Sequence, residues 1–254
     1  MSLNRESFVS EYLQRIGYTG STQPCLDTLL ELQRCHLFSV PFENLDMLQD
    51  DFEPNLDLEY LFDKIVRQRR GGVCHELNTL FYHLLTALGF DAVQICGSCF
   101  RDQPLFGHTF NLVHLPEGDY TADVGFGDDA VPPLNLTTRE SVHAYHAKAW
   151  VEDAENGTLD LFLQRPGQEP AFQYRFCTIP RGMEDFMAPF RQISVKGFLF
   201  FTTEHFCCRF NPKGKALLLH GELTVIEENN IIEKRAIAPG EETVRCLREY
   251  FDLP

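Results

Sequence analysis

The chain has 254 residues, of which 44% are hydrophobic and 12% aromatic, so it can bury a sizeable core. Its formal net charge of −15 argues against a protein that binds nucleic acid through phosphate contacts. Residues 1–6 lack a basic region leading into an apolar run, and no run of about 18 uncharged apolar residues exists. We therefore expect no secretory signal peptide, no membrane partner and a cytoplasmic location, with the nine cysteines reduced.

Apolar residues at helical spacing dominate the first third of the chain. They predict helices over 1–18, 26–37, 58–68 and 77–88. We expect the Ser7 side chain to cap the first helix, and Gly89, in a left-handed conformation, to end the last one. Residues 1–89 are therefore predicted to form an N-terminal helical bundle.

A cysteine stands at the start of the last of these helices. Gly71 and Gly72 precede it and favour a tight turn, because glycine accepts positive φ without steric cost. Cys74 is thus expected at a helix N-terminus, where the macrodipole and the free N–H groups favour a thiolate. The pattern makes Cys74 a candidate nucleophile, while a buried structural cysteine is the alternative that it leaves open.

Residues 90–190 change to short alternating segments separated by turn residues, which is typical of β-strands. We expect a small central antiparallel β-barrel over this range. Cys96 and Cys99 form a C-x-x-C spacing on its first strand, but no second pair accompanies them. We interpret both as structural residues on opposite strand faces, and we expect no metal site.

One hairpin of this β-rich region brings a histidine and an aspartate together. If its strands pair about the turn at 116–119, Val113 faces Tyr120, and Asp123 lies one diagonal step from His108 on the same face. A slip of one residue would put His108 and Asp123 on opposite faces. The predicted contact is therefore a hypothesis about the hairpin register.

His114 shares that strand face, and spacing alone does not choose between His114 and His108. A cysteine, a histidine and an aspartate on separate elements can form an activated nucleophile, because the imidazole takes the thiol proton and the carboxylate fixes the ring tautomer. Several classes of thiol enzyme share the order of Cys74, a histidine and Asp123. The order indicates nucleophilic catalysis without indicating which acyl group is transferred.

The remaining residues, 191–254, are expected to form a linker and a C-terminal α/β lid. An aromatic stretch over 198–209 indicates a strand, residues 214–233 indicate two more, and 239–240 open a last helix. With the two preceding parts, the chain is predicted to be an α+β protein with a Cys-His-Asp core like that of thiol enzymes.

Two segments carry a resemblance to a known family. Residues 70–78 keep all six fixed positions of the R-G-G-x-C-x-E-x-N signature of arylamine N-acetyltransferases, and residues 41–46 resemble that family's P-F-E-N-L-D motif. The resemblance covers nearly the whole chain. Because the length leaves no room for the large insertion of vertebrate members, the chain resembles the bacterial-type members of the family. It implies a catalytic triad of Cys74, His108 and Asp123, in which Asp123 opens a D-x-G-F-G segment.

The same resemblance implies an enzyme of xenobiotic metabolism that uses acetyl-CoA as co-substrate and needs no metal. Cys74 would be acetylated first and would then pass the acetyl group to an arylamine or arylhydrazine by a ping-pong route. Three aromatic residues are implied to hold the flat amine: Phe42, Phe126 and Phe201. Two glycines are implied to lie near CoA: Gly107 and Gly127.

The chain departs from the family pattern at Asp128 and Asp129, where further glycines are usual near the CoA pyrophosphate. Two carboxylates there would repel phosphates. Three other interpretations stay open: a thiol hydrolase, an amide synthase acting on a bound polyketide, and a relative that binds CoA or an aromatic ligand with weak activity. The first two would use the same triad around Cys74.

Overall fold

The computed structural model describes residues 3–101, 107–127, 129–144 and 147–254, without the side chains of Ala144 and Phe201. These ranges form an α+β fold. Its helices are α1 (Arg5–Ile16), α2 (Leu26–Ser39), α3 (Leu58–Phe62, continued by a π-helical turn, Asp63–Arg67), α4 (Cys74–Leu88), α5 (Met183–Ile193) and α6 (Glu241–Phe251). The four helices predicted in the first third are confirmed. Among the described helices, none is both long enough and apolar enough to cross a membrane.

The ends of α1 and α4 show which cap predictions were correct. The Asn4 side chain accepts a hydrogen bond from the N–H of Glu6 at 2.9 Å, so Asn4 is the N-cap of α1. The prediction of Ser7 was wrong, because Ser7 lies within the first turn and its hydroxyl donates to the Asn4 carbonyl. The prediction of Gly89 is confirmed, since it ends α4 with a φ of 94°.

Two antiparallel sheets contain the strands. The strands are β1 (Phe42–Glu43), β2 (Asp91–Ser98), β3 (His108–Leu115), β4 (Gly118–Ala122), β5 (Val142–Ala144), β6 (Ala147–Asp153), β7 (Leu159–Gln164), β8 (Ala171–Phe176), β9 (Phe206–Asn211), β10 (Gly214–Leu219), β11 (Glu222–Glu227) and β12 (Asn230–Ala236). The larger sheet has the order β4-β3-β2-β8-β7-β6-β5, and the smaller has the order β1-β9-β10-β11-β12.

The larger sheet is a curled antiparallel half-barrel, so the prediction of a central antiparallel β-barrel is confirmed in part: the sheet is antiparallel and curled, but it forms half of a barrel. In the described part of the chain, β4 and β5 remain its two edges. An irregular segment covers the β4 edge, because the N–H of Thr121 donates to the Leu134 carbonyl at 3.0 Å and the N–H of Leu136 donates to the Asp119 carbonyl at 2.7 Å. These bonds satisfy the outer edge of β4 without a further strand.

The C-terminal α/β part contains β9 to β12 and α6, but its sheet is completed by the N-terminal region. Strand β1 pairs with β9, so that Phe42 lies opposite Cys208 and Glu43 lies opposite Cys207. The pairing brings one of the motif segments singled out in the sequence to the edge of the C-terminal sheet. The division of the chain after residues 89 and 190 remains a prediction.

Helix α4 lies in the main hydrophobic core and packs against β2 and β3. Its side chains at Leu77, Leu80, Phe81 and Leu84 are fully buried, and each burial stabilises the fold by about 1.5–3 kcal/mol relative to exposure. The first turn of α4 also buries polar side chains, which is unusual for a helix end. The polar chemistry of the core is therefore concentrated at the N-terminus of α4.

Candidate active site

Ion pairs join the two motif segments ahead of α4. The Arg70 guanidinium lies 2.8 Å from the buried Glu43 carboxylate and 2.8 Å from Asp46. Glu43 also accepts a hydrogen bond from the N–H of Gly71 at 3.2 Å. A Cβ on Gly71 would lie 2.1 Å from the Pro41 carbonyl oxygen, so only glycine allows the two segments to lie this close. The network fixes the turn that leads to the cysteine.

A second set of charges lies beneath the first turn of α4. The Lys64 ammonium is 2.7 Å from the Glu76 carboxylate and 2.7 Å from Asp46. The other oxygen of Glu76 accepts a hydrogen bond from the N–H of Val73 at 3.0 Å. A buried charge needs such partners, because an unpaired one is costly to desolvate. The pairs hold the residue that immediately precedes Cys74.

Cys74 is the first residue of α4, as predicted, and is 8% exposed. Its Sγ lies 3.3 Å from Nδ1 of His75 and 3.9 Å from the carbonyl oxygen of Gly107. Burial by itself raises the pKa of the thiol, but interactions with the rings of His75 and His108 outweigh it and lower the pKa to about 5. The thiolate is therefore favoured at neutral pH, as a cysteine nucleophile requires.

The register of the β3–β4 hairpin agrees with the prediction, since Val113 lies opposite Tyr120. Nε2 of His108 lies 2.7 Å from Oδ2 of Asp123, and both side chains are buried. Burial disfavours a charged ring, but the Asp123 carboxylate and the Cys74 sulfur raise the pKa of His108 well above its ordinary value. With Nε2 directed at the carboxylate, Nδ1 is the ring nitrogen left to interact with the thiol.

The structure separates the two histidines that spacing left open. His114 lies near the turn, where its Nδ1 is 2.6 Å from the Asp119 carboxylate, and its side chain is 38% exposed. His108, in contrast, is buried against Asp123. The buried cluster around the cysteine therefore contains His108 and not His114.

The Asp123 carboxylate is surrounded by hydrogen-bond donors. Oδ2 accepts from His108 and, at 3.1 Å, from the Tyr174 hydroxyl. Oδ1 accepts from the Asn78 amide and from the N–H of Gly125, both at 2.9 Å. Burial raises the pKa of Asp123, but the His108 ring and the hydrogen bonds from Gly125 and Asn78 bring it below its ordinary value. The carboxylate therefore stays ionised and can stabilise a charged imidazole.

Gly125 allows the segment after Asp123 to lie directly on α4. A Cβ at this position would be 2.7 Å from Nδ2 of Asn78 and 2.8 Å from Cα of Cys74. The Asn78 side chain completes the contact, since its Oδ1 accepts from the N–H of Val124 at 2.9 Å. A larger residue at 125 would push the hairpin away from the helix, so this glycine sets the spacing between the cysteine and the His108–Asp123 pair.

Two of the three predicted pocket aromatics lie beside the site. The Phe126 ring packs edge-on against His108, with centroids 5.6 Å apart. The Phe42 ring packs against Phe206, with centroids 5.0 Å apart. Gly127, which has a φ of 90°, lies so close to Phe42 that a Cβ there would be 3.3 Å from the ring. Phe126 therefore lies against the candidate acid-base residue, and Phe42 and Phe206 form an aromatic pair against Gly127. The rings of Phe42, Phe126 and Phe206 are together called the aromatic wall.

The third predicted aromatic, Phe201, has a side chain outside the described residues. Its backbone belongs to a 3-10 turn, Phe200–Thr202. The prediction of a strand over 198–209 was therefore wrong for its first half, because this turn delays the strand until Phe206. Phe206, which was not predicted, is the residue of this segment that contacts Phe42.

The glycine and the two aspartates that the sequence relates to CoA binding have different surroundings in the structure. The Gly107 carbonyl faces the Cys74 sulfur, as described above. Asp128 lies outside the described residues. Both carboxylate oxygens of Asp129 accept hydrogen bonds from the Arg165 guanidinium, at 2.6 and 2.7 Å. The Arg165 guanidinium therefore offsets the negative charge that Asp129 adds to this segment.

The two cysteines of the C-x-x-C spacing lie in different surroundings. Cys96 is buried with its Sγ 4.0 Å from that of Cys177, whereas Cys99 follows the end of β2 and is exposed. All nine cysteines are free thiols. Within the described ranges, no group of three or more histidine, cysteine, aspartate or glutamate side chains is arranged to hold a metal ion.

Two residues next to the cluster were missed by the sequence reasoning. His75 is fully buried against the Cys74 sulfur, and Tyr174 donates to Asp123 from β8. His75 carried a usable signal, because it follows the candidate nucleophile on the same helical turn. Tyr174 carried none, since its contact joins residues 51 positions apart in the chain.

Known proteins are similar to this chain over most of its length. A model of an N-acetyltransferase family matches residues 25–254. Arylamine N-acetyltransferase 2 of Mus musculus is 32% identical over 242 residues, covering 85% of this chain and 82% of that protein. Proansamycin X synthase of Amycolatopsis mediterranei is 32% identical over 246 residues, covering 92% and 93%. The structure of Mycobacterium marinum arylamine N-acetyltransferase in complex with CoA matches with a TM-score of 0.88 at 29% identity, covering 96% of this chain and 92% of that one.

Proposed function

Because the chain belongs to the arylamine N-acetyltransferase family of acyltransferases, we propose that it transfers an acetyl group from acetyl-CoA to an arylamine or arylhydrazine. The observation that carries this proposal is a buried Cys74 thiol whose pKa is lowered to about 5 by neighbouring imidazoles. We assign Cys74 as the nucleophile and His108 as the general acid and base. Asp123, which is 2.7 Å from His108, orients that ring and stabilises its charge.

In the first half-reaction, the Cys74 thiolate attacks the carbonyl carbon of acetyl-CoA while His108 holds the former thiol proton. A bond forms between Sγ and the acetyl carbon, and the bond to the CoA sulfur breaks. The departing CoA thiolate takes the proton from His108, which leaves acetyl-Cys74, neutral His108 and CoA. The N–H groups of Glu76 and Leu77 donate to the Val73 carbonyl. We assign the N–H groups nearest Cys74, at the very start of α4, to the negative oxygen of the tetrahedral intermediate.

In the second half-reaction, the amine nitrogen attacks the acetyl carbon of acetyl-Cys74. His108 takes a proton from the nitrogen, and the bond between Sγ and the acetyl carbon breaks. Cys74 leaves as the thiolate beside the protonated ring, which restores the starting ion pair. The Asp123 carboxylate supports the charge on His108 at the same point in both halves of the reaction.

The aromatic wall described above suits a flat amine. We assign Phe126 and Phe42 to the acceptor pocket, because Phe126 contacts the His108 ring that would deprotonate the amine. Stacked or edge-on aromatic contacts of this kind contribute about 0.5–1.5 kcal/mol beyond the burial of area. A role for Phe201 remains a prediction.

We assign the nucleotide end of CoA to a cavity of about 470 Å³ between the end of β7 and the C-terminal sheet. Its lining includes Asp129, Arg165 and Lys215. Asp129 follows Gly127 by two residues in the chain, and Gly127 lies against Phe42. The pairing of Arg165 with Asp129 reduces the repulsion that a free carboxylate would exert on the pyrophosphate. Replacing Arg165 with glutamine should therefore raise the KM for acetyl-CoA without slowing the discharge of acetyl-Cys74.

An amide synthase is the second candidate function. The observation that favours it is the 32% identity, over 93% of that protein, to a relative named as a synthase, proansamycin X synthase. In this alternative, Cys74 would accept a long acyl group, and an amine carried by the same acyl group would attack the thioester. The residue roles would be unchanged, so the acyl donor distinguishes the two functions.

Steady-state kinetics with acetyl-CoA and an aniline test the proposed function. A ping-pong enzyme should give parallel double-reciprocal lines, and Cys74→Ala should abolish turnover. Continued CoA release beyond one equivalent per enzyme in the absence of an amine would identify water as the acceptor and so favour a thiol hydrolase. A wild-type protein that uses long acyl thioesters but not acetyl-CoA would favour the amide synthase.

A further inference from the structure

His75 places a second imidazole directly against the reactive sulfur. The ring is fully buried, and its Nδ1 lies 3.3 Å from Sγ of Cys74. On its other side the ring stacks on Phe190 of α5, with centroids 4.8 Å apart and planes inclined by 6°. Phe190 is itself fully buried. The stack fixes the plane of the imidazole, and with it the direction from Nδ1 to the sulfur.

The surroundings of the other ring nitrogen determine the tautomer of His75. Its Nε2 is buried and has no hydrogen-bond partner among the described residues. A proton on Nε2 would bury an N–H without an acceptor, which costs about 1–3 kcal/mol. The favoured tautomer therefore carries its proton on Nδ1, where the sulfur accepts it.

His108 has the opposite environment on its far side. Its Nε2 faces the Asp123 carboxylate at 2.7 Å, whereas the ring of His75 faces the apolar ring of Phe190. A positive charge is stabilised beside a carboxylate, so the proton from the thiol belongs on His108. The two imidazoles next to Cys74 are thus suited to different tasks.

We propose that His75 donates a hydrogen bond from Nδ1 to the sulfur of Cys74 and stabilises its thiolate without exchanging a proton. The inference rests on the proposed role of Cys74 as the nucleophile. In the free enzyme the bond stabilises the anion, and in the second half-reaction it stabilises the same anion as it leaves the acetyl group. The sulfur of acetyl-Cys74 is a weaker acceptor, so the bond favours discharge of the acetyl group over its uptake.

Two substitutions separate this role from simple packing. His75→Phe keeps a flat ring against Phe190 and removes the donor. His75→Asn places an amide nitrogen near the position of Nδ1 and loses most of the stack. The measurement is the pH dependence of Cys74 alkylation by iodoacetamide, read by peptide mass mapping, with urea unfolding of each variant to check the fold.

The wild-type profile should have its midpoint near pH 5. In His75→Phe the midpoint should rise by about one to two pH units, which slows alkylation at the wild-type midpoint about 5- to 50-fold. In His75→Asn it should stay within about half a pH unit of the wild type, because a donor remains. A packing role predicts the reverse, with His75→Phe unchanged and His75→Asn shifted and less stable.

An unshifted midpoint in folded His75→Phe would overturn the inference, and so would an ordinary alkaline midpoint in the wild type. The alkylation assay contains no acetyl-CoA, so its outcome is independent of the acyl donor. If His75→Phe shifts as expected but no acetyl group is transferred, the hydrogen bond stands and the proposed function fails.

Discussion

Replacing Asp123 with asparagine tests how the cluster controls the charge on the thiol. All four partners of the carboxylate are donors: His108, Tyr174, Asn78 and the N–H of Gly125. The asparagine amide replaces one carboxylate oxygen by an N–H₂ group, which is then directed at two of these four donors. The N–H of Gly125 can only donate, so the amide oxygen should stay beside it. The imidazole of His108 can change tautomer and the hydroxyl of Tyr174 can rotate, so both can accept, and the amide nitrogen should turn toward His108. The ring proton then moves to Nδ1, and His108 can no longer accept the thiol proton.

The size of the effect follows from the thiol pKa. With a pKa of about 5, nearly all of Cys74 is thiolate at neutral pH. In Asp123→Asn the His75 hydrogen bond remains, so the pKa should rise to about one unit below the ordinary value of about 8.5, where about a quarter of Cys74 is thiolate at neutral pH. Alkylation and acetylation of Cys74 in Asp123→Asn should therefore slow about fourfold from this cause alone. Loss of proton transfer in the second half-reaction should bring the fall in kcat/KM to about 1,000-fold or more.

The assay compares iodoacetamide alkylation of Cys74 in the wild type and in Asp123→Asn over a pH series, alongside turnover of acetyl-CoA and an arylamine. Urea unfolding checks that the variant is folded. Asp119→Asn is a matched control, because it changes an aspartate that pairs with a histidine at the exposed end of the same hairpin. Equal alkylation rates for wild type and Asp123→Asn at neutral pH would show that Asp123 does not control the charge on the Cys74 thiol.

Three further predictions concern the same region. Gly125→Ala should lower the free energy of unfolding by about 1–3 kcal/mol and slow turnover more than tenfold, because its Cβ would overlap Asn78 and Cys74. Unchanged denaturation and turnover would contradict the close approach of residue 125 to α4. Arg70→Met should lower the free energy of urea unfolding by about 3 kcal/mol, because it removes the arginine that pairs directly with the buried Glu43 carboxylate. Arg67→Met, at an exposed ion pair, is the control and should cost under about 1 kcal/mol. Because the pKa of Cys74 is depressed, the thiolate is present above about pH 5 and is lost as the pH falls through that value. The rate of acetylation should therefore be flat at neutral pH and fall about tenfold per pH unit below pH 5. A rate that keeps rising with pH until about pH 8.5 would contradict this prediction.

Local rules were sufficient to predict the parts of the site that depend on neighbouring residues. The turn at 116–119 determines the pairing of the hairpin, and the predicted partners Val113 and Tyr120 do lie opposite each other. The position of Cys74 at a helix start followed from two glycines and an apolar period. Both inferences use contacts within a few residues, where turn geometry and side-chain period leave few alternatives.

Contacts between distant segments could not be predicted in this way. Asp129 is neutralised by Arg165, which lies 36 positions away, and nothing in the local pattern of either residue indicates the pair. The stack of His75 on Phe190 depends on how α5 packs against α4. The strand in the aromatic stretch was predicted to start too early, because a 3-10 turn and an aromatic strand have similar composition. For the same reason, the family resemblance at Phe201 gave no sign that Phe206 would be the residue in contact with Phe42.

The most direct test of the central claim is the intact mass of the protein after mixing with acetyl-CoA in the absence of an amine. The proposed mechanism predicts one added acetyl group, located on Cys74, absent in Cys74→Ala and discharged when an arylamine is added. An unmodified wild-type protein under the same conditions, or an adduct that persists in Cys74→Ala, would contradict it.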